Sequence, residues 1–487
     1  HRHRGPVAAR ALAWHAAAIL RLNRNDTAGA ARAARAGLRV TDEHVAALGA
    51  TDLRASAAGN RVELAGIGLR IAMRNGRPER VFQWAELGRA SHLLNPPARP
   101  PGDPALAGLI AELRSVMHEI TESRREGRAD VRLRNRQVVL ERAIRDHHRS
   151  RMTGATKRTV DPPGMAELAE ILADTALVEF VQDDGVLHVV TIVDGQPRMR
   201  RLARVETVEG LVDKLLYALR RLCHDRAARD SVIAAQSLFV HTANRLSGLL
   251  LGGMPEIADR PLTLVPTGPL QRMPWAVLPA CVGRPVSVTP AAALLRDAHR
   301  RSSEPGRATV VAGPGLPGGL TEATSIAGMY GVPPLVHDAA TVEAVTGALD
   351  GSEVAHLAAH GLLRTDNPLF CSLQLADGPL MAYDLTRVAH PPDTVVLAAC
   401  DTGRPVVLAG DEVMGFAATL LAHGTHQVVA PVIAVHDIDT APLMIAFHRL
   451  LHAGEPPAAA LAAAQQQTVH SHHHGIAAVA RFVCIGN

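Results

Sequence analysis

The 487 residues carry a formal net charge of +4, with 51 basic and 47 acidic side chains; 47% are hydrophobic and only 3% aromatic. A chain this long exceeds one compact core, which predicts roughly two or three domains with interiors of Ala, Val and Leu. The near balance of charge and the lack of a long basic stretch argue against a nucleic-acid partner, and the restriction of lysine to Lys157 and Lys214 reads as codon bias.

Cys223, Cys281, Cys371, Cys400 and Cys484 lie far apart without CxxC spacing, so neither a disulfide framework nor a zinc ribbon is indicated, and a reducing, cytoplasmic compartment is expected. The chain begins at His1 without a signal pattern and is expected to be a fragment of a longer protein. The weakly charged stretch from Phe416 to Val435 is interrupted by His423, Gly424, His426 and Pro431, and reads as helix, turn and strand instead of a membrane span.

In chain order, residues 1–95 show helices in pairs. Helical spacing covers Ala11 to Leu22 and Ala28 to Leu38 around the turn Asn23-Arg-Asn-Asp26, then Val62 to Met73 and Val81 to Leu94 around Arg74-Asn-Gly-Arg-Pro78. Pro78 suits the first turn of a helix, where its missing N–H is no loss. The region reads as tetratricopeptide-like repeats or as plain helical hairpins, because the turns at Asn25 and Asn75 are not spaced by a multiple of about thirty-four residues.

Residues 96–163 open with the linker Asn95-Pro-Pro-Ala-Arg-Pro-Pro-Gly102. An amphipathic helix or helical hairpin follows from Ala105 to about Met152, with Leu106, Leu109, Ile110, Leu113, Met117 and Ile120 in register and a break near Gly127. Asp161-Pro-Pro-Gly164 marks the next boundary. In 164–260, a helix near Met165 to Ala173 precedes the runs Ala176 to Val181 and Val186 to Val193, which flank Gln182-Asp-Asp-Gly185 as a β-hairpin. Two amphipathic helices then fill Val208 to about Leu250.

From 261 to 487 short apolar runs alternate with helices: Leu262 to Val265, Ala308 to Ala312, Val354 to Leu357, Thr394 to Ala398, Gln427 to Ala430 and Arg481 to Ile485. That alternation predicts an α/β domain with a mostly parallel sheet covered by helices. Catalytic groups in such sheets collect beyond the carboxyl ends of strands, where His360 and Cys400 both fall. On neighbouring strands the imidazole can take the thiol proton and hold a thiolate, while the N–H groups of Gly361 and Cys400 suit an oxyanion hole. A buried structural cysteine beside an unrelated histidine is the alternative.

The same residues carry a resemblance. Leu264-Val-Pro-Thr-Gly-Pro-Leu-Gln-Arg-Met-Pro-Trp-Ala-Val-Leu278, His356-Leu-Ala-Ala-His-Gly361, Asp377-Gly-Pro-Leu380, Leu397-Ala-Ala-Cys-Asp-Thr-Gly403, Gly410-Asp-Glu-Val-Met-Gly-Phe416 and Arg481-Phe-Val-Cys-Ile-Gly486 occur in this order. Together they resemble the CHAT domain, a caspase-like cysteine peptidase domain often found behind tetratricopeptide repeats, and Trp84-Ala-Glu-Leu-Gly-Arg-Ala-Ser-His-Leu-Leu94 is similar to the repeat that commonly precedes it. The resemblance implies a caspase-like α/β fold, Cys400 as nucleophile, His360 as general base and later acid, and Gly361 with Cys400 as oxyanion donors. It further implies a bacterial cysteine endopeptidase with a protein substrate and no cofactor, linked to defence or cell death. Its helical repeats would recruit the target or a regulatory protein, with no nucleic acid or membrane involved.

The substrate pocket departs from the pattern. Caspase-like enzymes that cut after Arg or Lys often carry an acid two residues before the nucleophile, and Ala398 stands there. Asp401, Asp411, Glu412, Asp437 and Asp439 are the remaining acidic candidates, although Asp411 and Glu412 precede a helix whose N–H groups they would cap. His436 and Asp437, placed just after a strand taken to end near Val435, are the first choice for a pocket wall, even though the tryptophan usual slightly earlier in that strand is missing.

Two histidine patterns point elsewhere and are set aside. His356 and His360 have helical metal-ligand spacing but lie on a strand, so no metal is expected and His356 reads as an interior residue. His470, His472, His473 and His474 read as an exposed loop. The competing functional reading is a catalytically silent CHAT-like scaffold, or a zymogen awaiting a partner.

Overall fold

The chain opens with four helices, α1 (Val7–Asn23), α2 (Thr27–Ala47), α3 (Thr51–Asn75) and α4 (Pro78–Leu87). They belong to a computed structural model that describes residues 6–47, 51–89, 93, 103–128, 130–149, 161–222, 229–299, 306–364, 370–398, 406–408, 412–432, 437–469 and 482–486. Each helix stacks on the next in chain order. Asn25 (φ 61°) and Gly76 (φ 62°) take the left-handed conformation that turns the chain between partners, and Pro78 begins α4 as its sequence position predicts.

The amphipathic segment that follows is a hairpin of α5 (Pro104–Arg125) and α6 (Val131–Arg149), reversed at Gly127 with φ 73°. After α7 (Met165–Leu172) come β1 (Ala176–Asp183), β2 (Val186–Val193) and β3 (Gln196–Arg204). Asp184-Gly185 and Asp194-Gly195 both have positive φ at both residues, as the tight turns of a right-twisted meander require. The hairpin expectation was therefore one strand short. β3 is an exposed edge carrying Arg198, Arg200, Arg201 and Arg204, and its charge hid it from an apolar-run reading, whereas Asp194-Gly195 announced it.

The remaining elements are α8 (Val205–Leu222), α9 (Arg229–Leu250), β4 (Leu262–Val265), β5 (Val286–Val288), α10 (Ala293–His299), β6 (Arg307–Ala312), α11 (Gly319–Tyr330), α12 (Val342–Leu349), β7 (Ser352–Ala358), β8 (Gly361–Leu362), β9 (Ser372–Leu375) and β10 (Gly378–Met381). They continue with α13 (Ala382–Leu385), β11 (Thr394–Ala398), β12 (Val406–Leu408), β13 (Glu412–Met414), α14 (Phe416–His423), β14 (Gln427–Pro431), α15 (Asp437–His452), α16 (Pro457–Val469) and β15 (Phe482–Gly486). Two expected boundaries move. β14 ends at Pro431, short of Val435, and Glu412 lies in β13, so that Gly415 and not an acid occupies the N-cap of α14.

A ten-stranded, mostly parallel sheet in the order β3-β2-β1-β4-β5-β15-β14-β11-β7-β6 organises the molecule. β1, β4, β5 and β15 run parallel, as do β14, β11, β7 and β6, but β15 is antiparallel to β14. The two blocks thus point their carboxyl ends at opposite edges. Alternation along β1 sends Ala176, Val178 and Phe180 into a core with α8 and α9, while Leu177 and Val181 join a second core with the N-terminal helices.

Side chains from the Trp84–Arg89 motif join those helices to the sheet. The Trp84 ring packs where a Cβ on Gly68 would come within 2.1 Å, so only glycine fits there. The buried Glu86 carboxylate accepts from the N–H groups of Ala292 (3.0 Å) and Ala293 (2.9 Å) at the start of α10. Burial raises the Glu86 pKa, and these hydrogen bonds and Arg89 oppose the rise. Arg89 donates to the carbonyls of Pro266 (3.0 Å) and Phe180, with Glu179 3.5 Å from its Nε.

Candidate active site

β7 and β11 are parallel neighbours, and Ala358 pairs with Ala398 at the end of the register. His360 stands two positions after the first and Cys400 two positions after the second in the sequence. Cys400 lies outside the described residues, as do Asp401, Asp411 and His436, while Asp437 opens α15.

His360 is exposed, beyond the last residue of β7, and its surroundings fix it at two atoms. Its ring Nε2 is 3.1 Å from the carbonyl oxygen of Gly315, which can only accept, so Nε2–H donates to it and Nδ1 is the basic nitrogen of the neutral ring. Its own carbonyl accepts from the N–H of Gln374 at 2.9 Å. Gly315 is left-handed (φ 78°) in the loop after β6, and the N–H of Gly313 in that loop donates to the carbonyl of Ala358 at 2.7 Å. A Cβ on Gly313 would meet the carbonyl of Gln374 at 2.4 Å, so the three segments around His360 close on one another only with glycine there. Gly361 opens β8 opposite Leu373 and is not among the left-handed glycines. Gly315 was missed from sequence because a backbone carbonyl has no side-chain signature.

Beneath the same strand, His356 is fully buried, as expected of an interior residue. Its Nε2 is 3.0 Å from a carboxylate oxygen of Glu322 in the first turn of α11, off the straight line of a hydrogen bond. Its Nδ1 is 3.0 Å from His448 Nε2, and His448 Nδ1 is 3.1 Å from the Tyr330 hydroxyl. One pattern suits every pair: Tyr330 donates to His448, His448 to His356, and the His356 Nε2–H faces Glu322. Burial and then His356 push the His448 pKa well down, and burial raises that of Tyr330. Among the described residues no group of three or more His, Cys, Asp and Glu side chains is arranged to hold a metal.

A cavity of about 430 Å³ lies at the opposite edge, where β1 ends, lined by Leu69, Trp84, Arg89, Val181, Asp183 and Thr267. No helix among the described residues is long and apolar enough to cross a membrane.

The CHAT domain family model matches residues 233–487, just over half of the chain. The chain belongs to the CHAT-domain family. No curated protein matches it in sequence. This CHAT chain is similar in fold to a chain of the Saccharomyces cerevisiae separase–securin complex in the 2.6 Å crystal structure, at 8% identity and a TM-score of 0.51, covering 96% of this chain and 38% of that one. The 3.0 Å structure of the same complex matches at 9% identity and a TM-score of 0.49, covering 94% and 37%. The CHAT chain thus spans well under half the length of the chains it matches. The likeness places the caspase-like α/β architecture, with its N-terminal helical region, within a known fold.

Proposed function

We propose that the protein is a cysteine endopeptidase using Cys400 and His360. The observation that carries this reading is the orientation of His360: its Nε2–H is bound to Gly315, which makes Nδ1 the basic nitrogen of the neutral ring, just after the strand beside the one that leads in sequence to Cys400. An imidazole held in one tautomer by a fixed acceptor is organised to take a thiol proton.

In the proposed reaction His360 Nδ1 removes the Cys400 thiol proton and the thiolate sulfur bonds to the scissile carbonyl carbon. The N–H groups of Gly361 and Cys400 bind the oxyanion. The carbon–nitrogen bond breaks as the histidinium returns its proton to the leaving amine, producing a thioester. Water, deprotonated by His360, then attacks the thioester to release the carboxylic acid and the free thiol. Asp401, Asp411, His436 and Asp437 are the proposed pocket wall, and the substrate is a protein recruited, or regulated by a partner protein, through the N-terminal helices.

The test is the pH-dependent rate at which a small thiol-alkylating reagent labels each cysteine, read by peptide mass in the wild type and His360→Ala. Rapid Cys400 labelling below neutral pH that disappears in His360→Ala is the expected result. Slow labelling that ignores the substitution means a silent scaffold or a zymogen.

A further inference from the structure

The α5–α6 hairpin occupies the stretch that sequence reads as linker and amphipathic helix, yet its packing is directed at the segment after His360. β8 starts at Gly361 and pairs with β9, which pairs with β10, forming a small three-stranded sheet separate from the main one. Phe370, Met381 and Tyr383, in and around that sheet, are buried in a core with Leu106, Leu113 and Leu140 of the hairpin.

Two ion pairs reinforce the contact. Arg364 forks onto Glu141 of α6, with Nη1 to Oε1 at 2.9 Å and Nη2 to Oε2 at 3.1 Å, and Glu141 is only 3% exposed. Arg114 of α5 donates to Asp384 at 2.9 Å, while the other oxygen of Asp384 accepts from the N–H of Met381. Gly378 at the start of β10 has φ 130°, and a Cβ there would meet Arg114 Cγ at 2.7 Å, so strand and helix approach as closely as glycine permits. A bidentate Arg–carboxylate pair fixes direction as well as distance, and Arg364 lies four residues beyond His360.

From these contacts we infer that the α5–α6 hairpin is a positioning arm: through Glu141–Arg364 and Arg114–Asp384 it holds the β8–β10 sheet, and through that sheet the His360 backbone, at the reacting edge. The inference rests on the role proposed for His360. A free loop after His360 would leave its carbonyl bond to Gln374 and its ring bond to Gly315 to hold the histidine by themselves. With the arm in place, the backbone on both sides of the histidine is fixed, so imidazole orientation becomes a property of the tertiary structure.

Cys371 is a built-in reporter of this contact. Its buried sulfur accepts from the N–H of Arg364 at 3.3 Å and packs in the core between the small sheet and β7 and β11, so it is the thiol tied to the arm's anchor, whereas Cys281 and Cys484 sit in other cores of the main sheet and report opening there.

The experiment uses the full chain as wild type, Glu141→Gln, Arg364→Lys, Arg114→Gln and His360→Ala, and follows alkylation of every cysteine by iodoacetamide across pH. In Glu141→Gln and Arg114→Gln, Cys371 labelling is expected to rise about tenfold or more with Cys281 and Cys484 still protected, and Cys400 is expected to lose its His360-dependent labelling at low pH. Arg364→Lys keeps the charge but loses the bidentate fork, and is expected to fall between wild type and Glu141→Gln in both readouts. Unchanged Cys371 labelling in both Gln variants overturns the arm. Faster Cys371 with a wild-type Cys400 profile overturns positioning alone. Cys400 labelling that ignores His360→Ala overturns the peptidase reading, and the positioning role falls with it. Should Glu141→Gln also expose Cys281 and Cys484, Arg114→Gln at the second anchor decides.

Discussion

The His360 ring and the Gly315 carbonyl, 45 positions apart in sequence and 3.1 Å apart in space, define the tautomer on which the proposed chemistry depends. Gly315 holds its carbonyl there through a left-handed backbone, which an L-residue adopts at a cost of about 1–2 kcal/mol. Gly315→Ala is therefore expected to slow His360-dependent labelling of Cys400 by about tenfold and to lower the melting temperature by a few degrees. Labelling rates and a thermal melt on one preparation check both; a tenfold loss without any thermal shift would point to a local displacement of the carbonyl.

The Glu322–His356–His448–Tyr330 chain makes stability pH-dependent in a definite direction. Burial depresses the folded-state pKa of His448 below its ordinary 6.5, so between those two values the unfolded chain binds the extra proton. The stability is fully present above about pH 6.5 and is lost as pH falls toward the folded-state value, at up to about 1.4 kcal/mol per pH unit. His448→Gln should flatten that slope, as measured by urea unfolding at about pH 5 and about pH 7.5.

His356→Phe should be costly for a different reason. It removes the N–H facing the Glu322 carboxylate, which is 2% exposed, and takes the acceptor from His448, leaving buried polar groups without those neighbours, an effect of about 1–3 kcal/mol. Pairing it with Glu322→Leu should recover much of that loss. A double mutant no more stable than His356→Phe in chemical denaturation would refute this account.

Glu86→Ala should uncouple the N-terminal helices from α10. It strips acceptors from two buried N–H groups, at about 1–3 kcal/mol each, while Glu86→Gln keeps one acceptor and should lose less. Hydrogen exchange at Ala292 and Ala293 reads the effect directly.

Cys281 and Cys484 provide the baseline for thiol experiments. Burial pushes both thiols up to about 12, so neither should react in the native protein near neutral pH. Labelling of either one in peptide maps would show that the sheet core opens.

Much of the architecture was legible because local patterns have local causes. Helical periodicity, the Asp184-Gly185 turn and short apolar runs located most of the elements, since one face of each must be buried. His360 and Cys400 stood out because they end such runs. β3 was obscured by its arginines and the end of β14 was overextended, because an apolar residue continues a run whether or not a ladder partner is present.

What the sequence alone determined was the alternation of strand and helix, the chemistry-bearing side chains and their order, together with the family they resemble. Tertiary structure decided that β7 and β11 are neighbours, that the sheet reverses between β15 and β14, that Gly315 faces the His360 ring and that α5–α6 clamps the segment beyond it. The physical reason is range. Periodicity reports which face of an element is buried, but which strand it pairs with, and which backbone carbonyl meets an imidazole, follow from the packing of segments far apart in the chain and leave no trace in local composition.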